Sequence, residues 1–197
     1  MRPNLKLELC CVLVRPFGAA FQTLQRGSGP ALTLRALREP ELLAWCSDPD
    51  LELRPEQVRA ALARGDVCLG ALDGAKLVGY VWLAFDPAPH TGGVHVDFHP
   101  AGRYSYKKFV RPAYRGRRVA HALNALADAP VFRRDRQFTL SFVHLKNRAS
   151  LRSARRSGSQ PVGYAALLRC GRRLLPFSSP GARRYGFRFL SSASSRG

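Results

Sequence analysis

From Tyr104 to Leu126 the chain reads Tyr-Ser-Tyr-Lys-Lys-Phe-Val-Arg-Pro-Ala-Tyr-Arg-Gly-Arg-Arg-Val-Ala-His-Ala-Leu-Asn-Ala-Leu. An aromatic, extended run (Tyr104 to Val110) meets Pro112, then Arg115-Gly116-Arg117-Arg118, then small and apolar residues at helical spacing. The pattern is strand, basic turn, helix. Gly116 lets the backbone turn without a Cβ clash. The amides that open a helix lack partners, and the positive end of the helix dipole adds to them. Arg115, Arg117 and Arg118 bring planar forks for phosphate oxygens to the same place. The chemistry this stretch is suited to is the grip of an anion, with a pyrophosphate first in line.

The elements that must position this turn follow from the rest of the chain. Ala31 to Leu37 alternates as a first strand, Glu39-Pro40-Glu41 opens a helix, and a second helix is expected from Pro55 to Arg64, closed by Gly65. Val67 to Leu72 and Leu77 to Phe85 read as strands joined through the Asp73-Gly74 hairpin turn. A third antiparallel strand is expected between Val94 and Val110. Val119 to Ala127 places Val119, Leu123 and Leu126 on one helical face, and Pro130 ends that helix. Gln137 to Leu145 is a further strand; strand, crossover helix and strand in this order predict a parallel pair. Asn147 then caps a helix that closes at Gly158, and Val162 to Cys170 and Arg173 to Phe177 form a hairpin through Gly171.

The fold class expected is α/β in the α+β sense. Its central sheet is mixed and mostly antiparallel, with one strand-helix-strand parallel pair and helices on both faces. Residues 1–30, set off by the Arg26-Gly27-Ser28-Gly29-Pro30 cluster, read as an N-terminal extension with room for one extra strand. The domain itself is expected over 31–190, and 191–197 as a disordered tail.

At 197 residues, 46% hydrophobic, the chain is long and apolar enough to bury a core and is not a disordered polymer. Its 32 Lys and Arg against 13 Asp and Glu give a net charge of +19, which draws polyanions at long range or simply decorates a solvated surface. An odd count of five cysteines without Cys-x-x-Cys spacing argues for free thiols. His95, Asp97 and His99 alternate as a strand would, but match no metal signature, and no metal is expected. No apolar run approaches the ~20 residues of a membrane helix and no secretory signal is visible, so the cytoplasm is the expected location.

The basic turn resembles the cofactor motif of the GNAT superfamily of acyl-CoA-dependent N-acyltransferases. The match runs through Val110-Arg111-Pro112, then Arg115 and, at the last motif position, Ala120; the glycine usual at the position of Arg118 is missing. A second match, Asn147, Ser150 and Gly158, follows in the right order. The resemblance covers roughly Ala31 to Phe177 and implies that the backbone from Gly116 to Ala120, including Arg117, Arg118 and Val119, holds the pyrophosphate of acetyl-CoA or another acyl-CoA. It implies that Lys108, Phe109 and Val110 pair with the pantetheine arm like an added strand, and that Asn147 and Ser150 contact the same arm. The arginines at 148, 152, 155 and 156 are then candidates for the 3′-phosphate.

The chemistry implied is attack of a primary amine on the thioester, most simply acetyl, in a ternary complex. A tyrosine that serves as acid in the family is replaced by Ala154, with Tyr164 a nearby substitute, though its phenol is expected to be buried against a backbone partner. Tyr104, Tyr106 and Asp97 are the candidates for a base or a water-positioning group. The competing readings are a basic nucleic-acid- or ribosome-binding module, and a degenerate GNAT-like domain without catalysis. The acceptor amine is not legible, and a homodimer is compatible with the sequence.

Overall fold

The computed structural model describes residues 5–18, 32–91, 93–171 and 173–191. Residues 1–4 and 19–30 of the expected extension, and the expected tail beyond Ser191, lie outside the described residues. In chain order the elements are β1 (Leu5–Pro16), β2 (Thr33–Ala36), α1 (Glu39–Trp45), α2 (Pro55–Ala63), β3 (Val67–Asp73), β4 (Lys76–Ala84), β5 (Ala88–Pro89), β6 (Val94–Asp97) and β7 (Gly102–Val110). They continue with α3 (Val119–Ala127), β8 (Phe138–His144), α4 (Arg148–Arg156), β9 (Gln160–Cys170), β10 (Arg173–Ser178), α5 (Pro180–Arg184) and β11 (Arg188–Ser191). Short 3-10 turns at Pro49–Leu51, Pro112–Tyr114 and Pro130–Phe132 each start on proline, whose fixed φ suits a first helical position. The chain parts into two compact units: one from Met1–Pro16, Asp86–Tyr104 and Arg136–Gly197, the other from Phe17–Phe85 and Ser105–Asp135.

In the first unit the strands run β10-β9-β1-β8 and then the opening residues of β7. β1 is therefore an interior strand of this sheet, between β9 and β8. It pairs antiparallel with β8 from Cys10↔His144 to Pro16↔Phe138, and antiparallel with β9 along Leu5↔Cys170 to Val14↔Gln160. The reason lies in its composition: Cys10 to Val14 is apolar on both faces and buried on both, as a central strand is. Arg15-Pro16 marks only its end. β8 lies parallel to β7 over Gly102↔Phe138, Arg103↔Thr139 and Tyr104↔Leu140, as the strand-helix-strand order predicts. Gly102 is required there, since a Cβ would stand 2.5 Å from Phe138 Cε2.

This unit has a second sheet with no counterpart in the expectations above, three-stranded in the order β11-β6-β5. The single strand expected between Val94 and Val110 is two, β6 and β7, in different sheets. Phe187 and Phe189 arrive with β11 and close an aromatic cluster around Phe142, His90 and Tyr104.

In the second unit the order is β7-β4-β3-β2. β3 and β4 form the expected hairpin, with Gly74 at φ +58 in the turn. Every residue of β4 from Leu77 to Ala84 is buried because both faces are covered. On one face Tyr80 and Trp82 pack with Leu42, Leu51, Val58 and Ala61 from α1, the following 3-10 turn and α2. On the other, Val81 and Leu83 pack with Val119, Leu123 and Ala127 of α3. Tyr80 donates its hydroxyl to the Leu51 carbonyl at 2.7 Å, which satisfies a phenol buried in the first layer.

The first turn of α1 carries a pH-dependent support. Arg35 forks onto Glu41 at 2.5 and 2.9 Å, and the Arg38 amide donates to the same carboxylate at 3.0 Å. The Arg35 hydrogen bonds first, then the Arg38 amide, hold the Glu41 carboxyl down at about 2. A depressed carboxyl supports the fold fully above its unfolded pKa, and that support fades as pH falls through the folded value. Thermal unfolding of the parent is therefore expected to lose stability between about pH 4.5 and about pH 2 more steeply than that of Glu41→Gln, followed by circular dichroism.

Candidate functional site

The basic turn lies wholly in the second unit. Arg111, buried, fixes the strand end before it: its amide donates to Val78 O at 2.9 Å, its Nε to Leu77 O at 2.7 Å, and its guanidinium pairs with Asp48 and, at 3.5 Å, with Asp50. Arg111 in turn holds the Asp48 carboxyl below its usual range. Beyond Arg111 the 3-10 turn Pro112–Tyr114 delivers the chain to Arg115, and α3 begins at Val119. Gly79 on β4 lets α3 start close to the sheet, since a Cβ there would stand 3.0 Å from Val119 Cγ1 and 3.0 Å from Phe109 O.

Gly116 has φ +80 and Arg118 φ +60, with Arg117 at negative φ between them. Alternation of this kind turns successive amides toward one side and makes a concave nest for an anion. The amides of Gly116, Arg118, Val119 and Ala120 donate to no acceptor among the described residues. A Cβ at Gly116 would meet nothing within 4 Å, so the turn opens outward. The arginines divide: Arg115 Nε turns back to Val110 O at 3.2 Å, Arg117 lies over the Tyr114 ring at 5.4 Å, and Arg118 is exposed.

The glycine missing at position 118 thus leaves its trace in the backbone, since Arg118 holds the left-handed conformation that glycine adopts freely. Arg118→Gly is expected to raise the stability of the free protein by about 0.5–1 kcal/mol, read as a higher Tm. An unchanged or lower Tm would mean that the left-handed residue costs nothing.

β7 leads into this turn and is the outermost strand of its unit from Ser105 onward, flanked by β4. Lys108 donates to Asn124 Oδ1 at 2.6 Å, which ties β7 to α3, and the Phe109 ring stacks on Tyr80 at 5.5 Å. Lys107 sits at φ +45 and its Nζ donates to Glu52 O at 2.7 Å and Gln57 Oε1 at 3.0 Å.

One residue before that irregularity, Tyr106 donates its hydroxyl to Asp66 Oδ2 at 2.5 Å. Arg64 Nη2 reaches the same oxygen at 2.5 Å and the Tyr106 hydroxyl at 3.4 Å, and the Asp66 side chain is fully buried. The Tyr106 ring stacks on Trp82 at 6.3 Å. Burial first, then the Asp66 charge, hold the Tyr106 proton far more tightly than in a free phenol. Tyr106 is among the sequence candidates, but Asp66 and Arg64 are not, because they lie 40 and 42 positions away and carry no local signature.

The other candidates belong to the first unit. Tyr104 is 4% exposed, stacked on Phe142 at 6.1 Å and packed against Phe98, and burial raises its hydroxyl pKa far above the phenol range. It has the character of a core residue and not of a base. Asp97 accepts from Arg188 Nη2 at 2.8 Å and from the Phe98 amide at 2.9 Å. Asn147 caps α4, accepting from the Ser150 amide at 3.0 Å, and Gly158 closes the helix at φ +82. Tyr164 departs from expectation: its phenol is not buried but 56% exposed, because the face of β9 that carries it is uncovered.

Among the described residues no three His, Cys, Asp or Glu gather as metal ligands would, and no helix is long and apolar enough to cross a membrane. A hollow of about 390 Å³ in the first unit, between β10, α5 and β11, holds none of the predicted residues, and its Arg188 is already paired with Asp97.

No family model matches the chain, and no curated protein matches it in sequence. Its structural likenesses are clear. A conserved Staphylococcus epidermidis protein of unknown function superposes with a TM-score of 0.61 at 10% identity, over 84% of this chain and 62% of that one. A Drosophila protein gives 0.54 at 18% identity, over 85% and 52%. A Novosphingobium aromaticivorans protein assigned to the GNAT family of acetyltransferases gives 0.51 at 13% identity, over 90% and 67%. The chain thus spans only 62% and 52% of the first two structures. The fold of this chain is the GNAT fold.

Proposed function

We propose that this chain is an acyl-CoA-dependent N-acyltransferase, moving an acyl group, most simply acetyl, to a primary amine by direct attack in a ternary complex. The observation that carries the reading is the nest at Gly116 to Ala120, whose open amides head α3 at the end of an outermost strand. The nest would take the pyrophosphate, and Lys108 to Val110 would pair with the pantetheine amides as an added strand does. Arg118 would lend its guanidinium to a phosphate. Asn147 and Ser150 remain candidates for the same arm, although their hydrogen bond already serves to cap a helix.

Among the predicted catalytic groups Tyr106 is favoured, since Tyr104 is sealed in a core and Asp97 is held by Arg188. In the proposed step the amine nitrogen bonds to the thioester carbonyl carbon and the carbon–sulfur bond breaks. The amine proton passes to Tyr106 while the phenol proton passes to Asp66, and the relay returns a proton to the departing sulfur. A tightly held phenol proton suits such a relay, which never needs a free phenolate. It also fills the role left open at Ala154. The reading implies acetyl-CoA or another acyl-CoA as co-substrate, no metal, and the cytoplasm as the place of action.

The test is thermal unfolding with acetyl-CoA, longer acyl-CoAs and RNA at several salt concentrations, since a ligand of the native state raises Tm by mass action. Stabilisation by acyl-CoA that survives moderate salt is expected. Stabilisation by RNA alone, fading with salt, would replace the reading with a nucleic-acid-binding one. A screen of amines with acetyl-CoA, followed by release of free thiol, then identifies the acceptor. Acyl-CoA binding without turnover of any amine would point to a domain that binds the cofactor and does not catalyse.

A further inference from the structure

One face of the first unit is apolar and, among the described residues, uncovered. Leu7, Leu9, Leu145, Tyr164, Leu175 and Phe177 are large hydrophobics between 38% and 57% exposed. The register places them together: Leu7 opposes Leu168, which opposes Leu175, and Leu9 opposes Ala166, which opposes Phe177. Leu145 joins through its amide on Leu9 O at 2.9 Å, and Tyr164 continues the face one pair beyond Ala166. Side chains of directly paired residues, and of residues two apart, point to the same side of a sheet. The opposite side of the same strands is closed by Cys10, Val12, Ala165 and Leu167. Contiguous apolar surface of this kind is uncommon on a monomer and marks a contact site.

Charge narrows what can cover it. From Arg136 to Gly197 the sequence has no Asp or Glu. Glu8 of β1 is hydrogen-bonded to His90 at 3.3 Å on the closed side. Arg173 stands at one end of the apolar rows, opposite Cys170. At the other end is α4, whose Arg155 is near enough to bear on the Cys11 thiol, and Cys11 opposes Tyr164. Arg148, Arg152, Arg155 and Arg156 of α4 are exposed, and neither they nor Arg173 form an ion pair among the described residues.

A second copy docked through the same face would bring the same cationic ends, and its residues 136–197 offer no carboxylate to meet them. Strand addition at β10 is hindered by Pro176, which removes an amide from the outermost strand. Leucines with a Tyr and a Phe on a flat face, flanked by guanidiniums, have the composition of a surface that rests at the lipid–water boundary, where aromatic rings settle and arginines reach phosphate. We infer that this face of β1, β9 and β10 docks on an anionic lipid bilayer. The apolar side chains enter the headgroup boundary while Arg173 and the α4 arginines meet the lipid phosphates.

Co-sedimentation of the full chain tests this, with vesicles of phosphatidylcholine alone and of phosphatidylcholine with about 30% phosphatidylserine. Binding to the anionic vesicles is expected to be roughly tenfold or more the stronger. The double variant Leu175→Ser/Phe177→Ser, exposed and so free to fold, is expected to bind roughly tenfold more weakly. Arg155→Gln/Arg173→Gln is expected to bring the anionic vesicles down toward the neutral ones.

Sedimentation velocity accompanies it. A dimer in solution that Leu175→Glu disperses would show that a second copy covers the face, and would overturn the inference. Anionic-vesicle binding unaffected by Leu175→Ser/Phe177→Ser would reduce the effect to net charge and overturn it too. A monomer that binds neither vesicle also overturns it, and leaves an acidic protein surface as the occupant.

Discussion

Gly116→Val is expected to erase the rise in Tm that, under the proposed function, acetyl-CoA would give the parent protein. At a hundredfold excess over Kd the ligand contributes about 2.7 kcal/mol, which for a chain of this size is a shift of roughly 5–10 °C. Valine costs the turn twice. At φ +80 a β-branched residue is strained by about 1–2 kcal/mol, and its methyl groups enter the open space above the amides. The free variant should therefore melt a few degrees lower and gain about 1 °C or less from ligand. The ligand increment is the decisive reading, because it is measured against the variant's own free state. A variant that melts lower yet keeps the full increment would show that phosphate binds elsewhere.

The second large effect is expected at Tyr106. Removing the hydroxyl in Tyr106→Phe keeps the ring on Trp82 but would take away the proposed relay, and kcat is expected to fall by about 10²–10³ with any acetyl-CoA Tm shift preserved. Asp66→Asn should lower kcat comparably, and the double variant no further than the worse single one, because groups acting as one unit are not additive. Additive losses, or a Tyr106→Phe enzyme of undiminished kcat, would remove the relay from the mechanism. Asp66→Asn also weakens the ion pair with Arg64, so its melting temperature must be measured beside its rate.

What could be read from the chain was local. The basic turn, the Asp73-Gly74 hairpin, the helix Val119–Ala127 and the cap at Asn147 each announce themselves within a few residues through glycine, proline or apolar spacing, and each is present. The parallel pair of β7 and β8 followed from connectivity. What escaped depended on residues far apart. β1 reads in the sequence only as one extra strand of an extension, because turn-forming residues follow it, and its register with β8 and β9 is what places it inside the sheet. The partners of Tyr106 were hidden for the same reason. The sheet β11-β6-β5 is built from strands of two to four residues, too short to show a period.

The interior position of β1 bears on how the protein comes into being. Cys10 finds His144 only after 134 further residues have been made, and Leu5 must wait longer still for Cys170. The last residue of the second unit, Asp135, is made, and leaves the ribosome, ahead of every residue of β8 and β9. Co-translational folding should therefore begin inside out, with the nest-bearing unit consolidating first while β1, made before it, stays unpaired. Through that interval a run of exposed Cys, Val and Leu is a natural target for chaperones, and the long loop that its pairing must close should make completion of the first unit the slow step of folding.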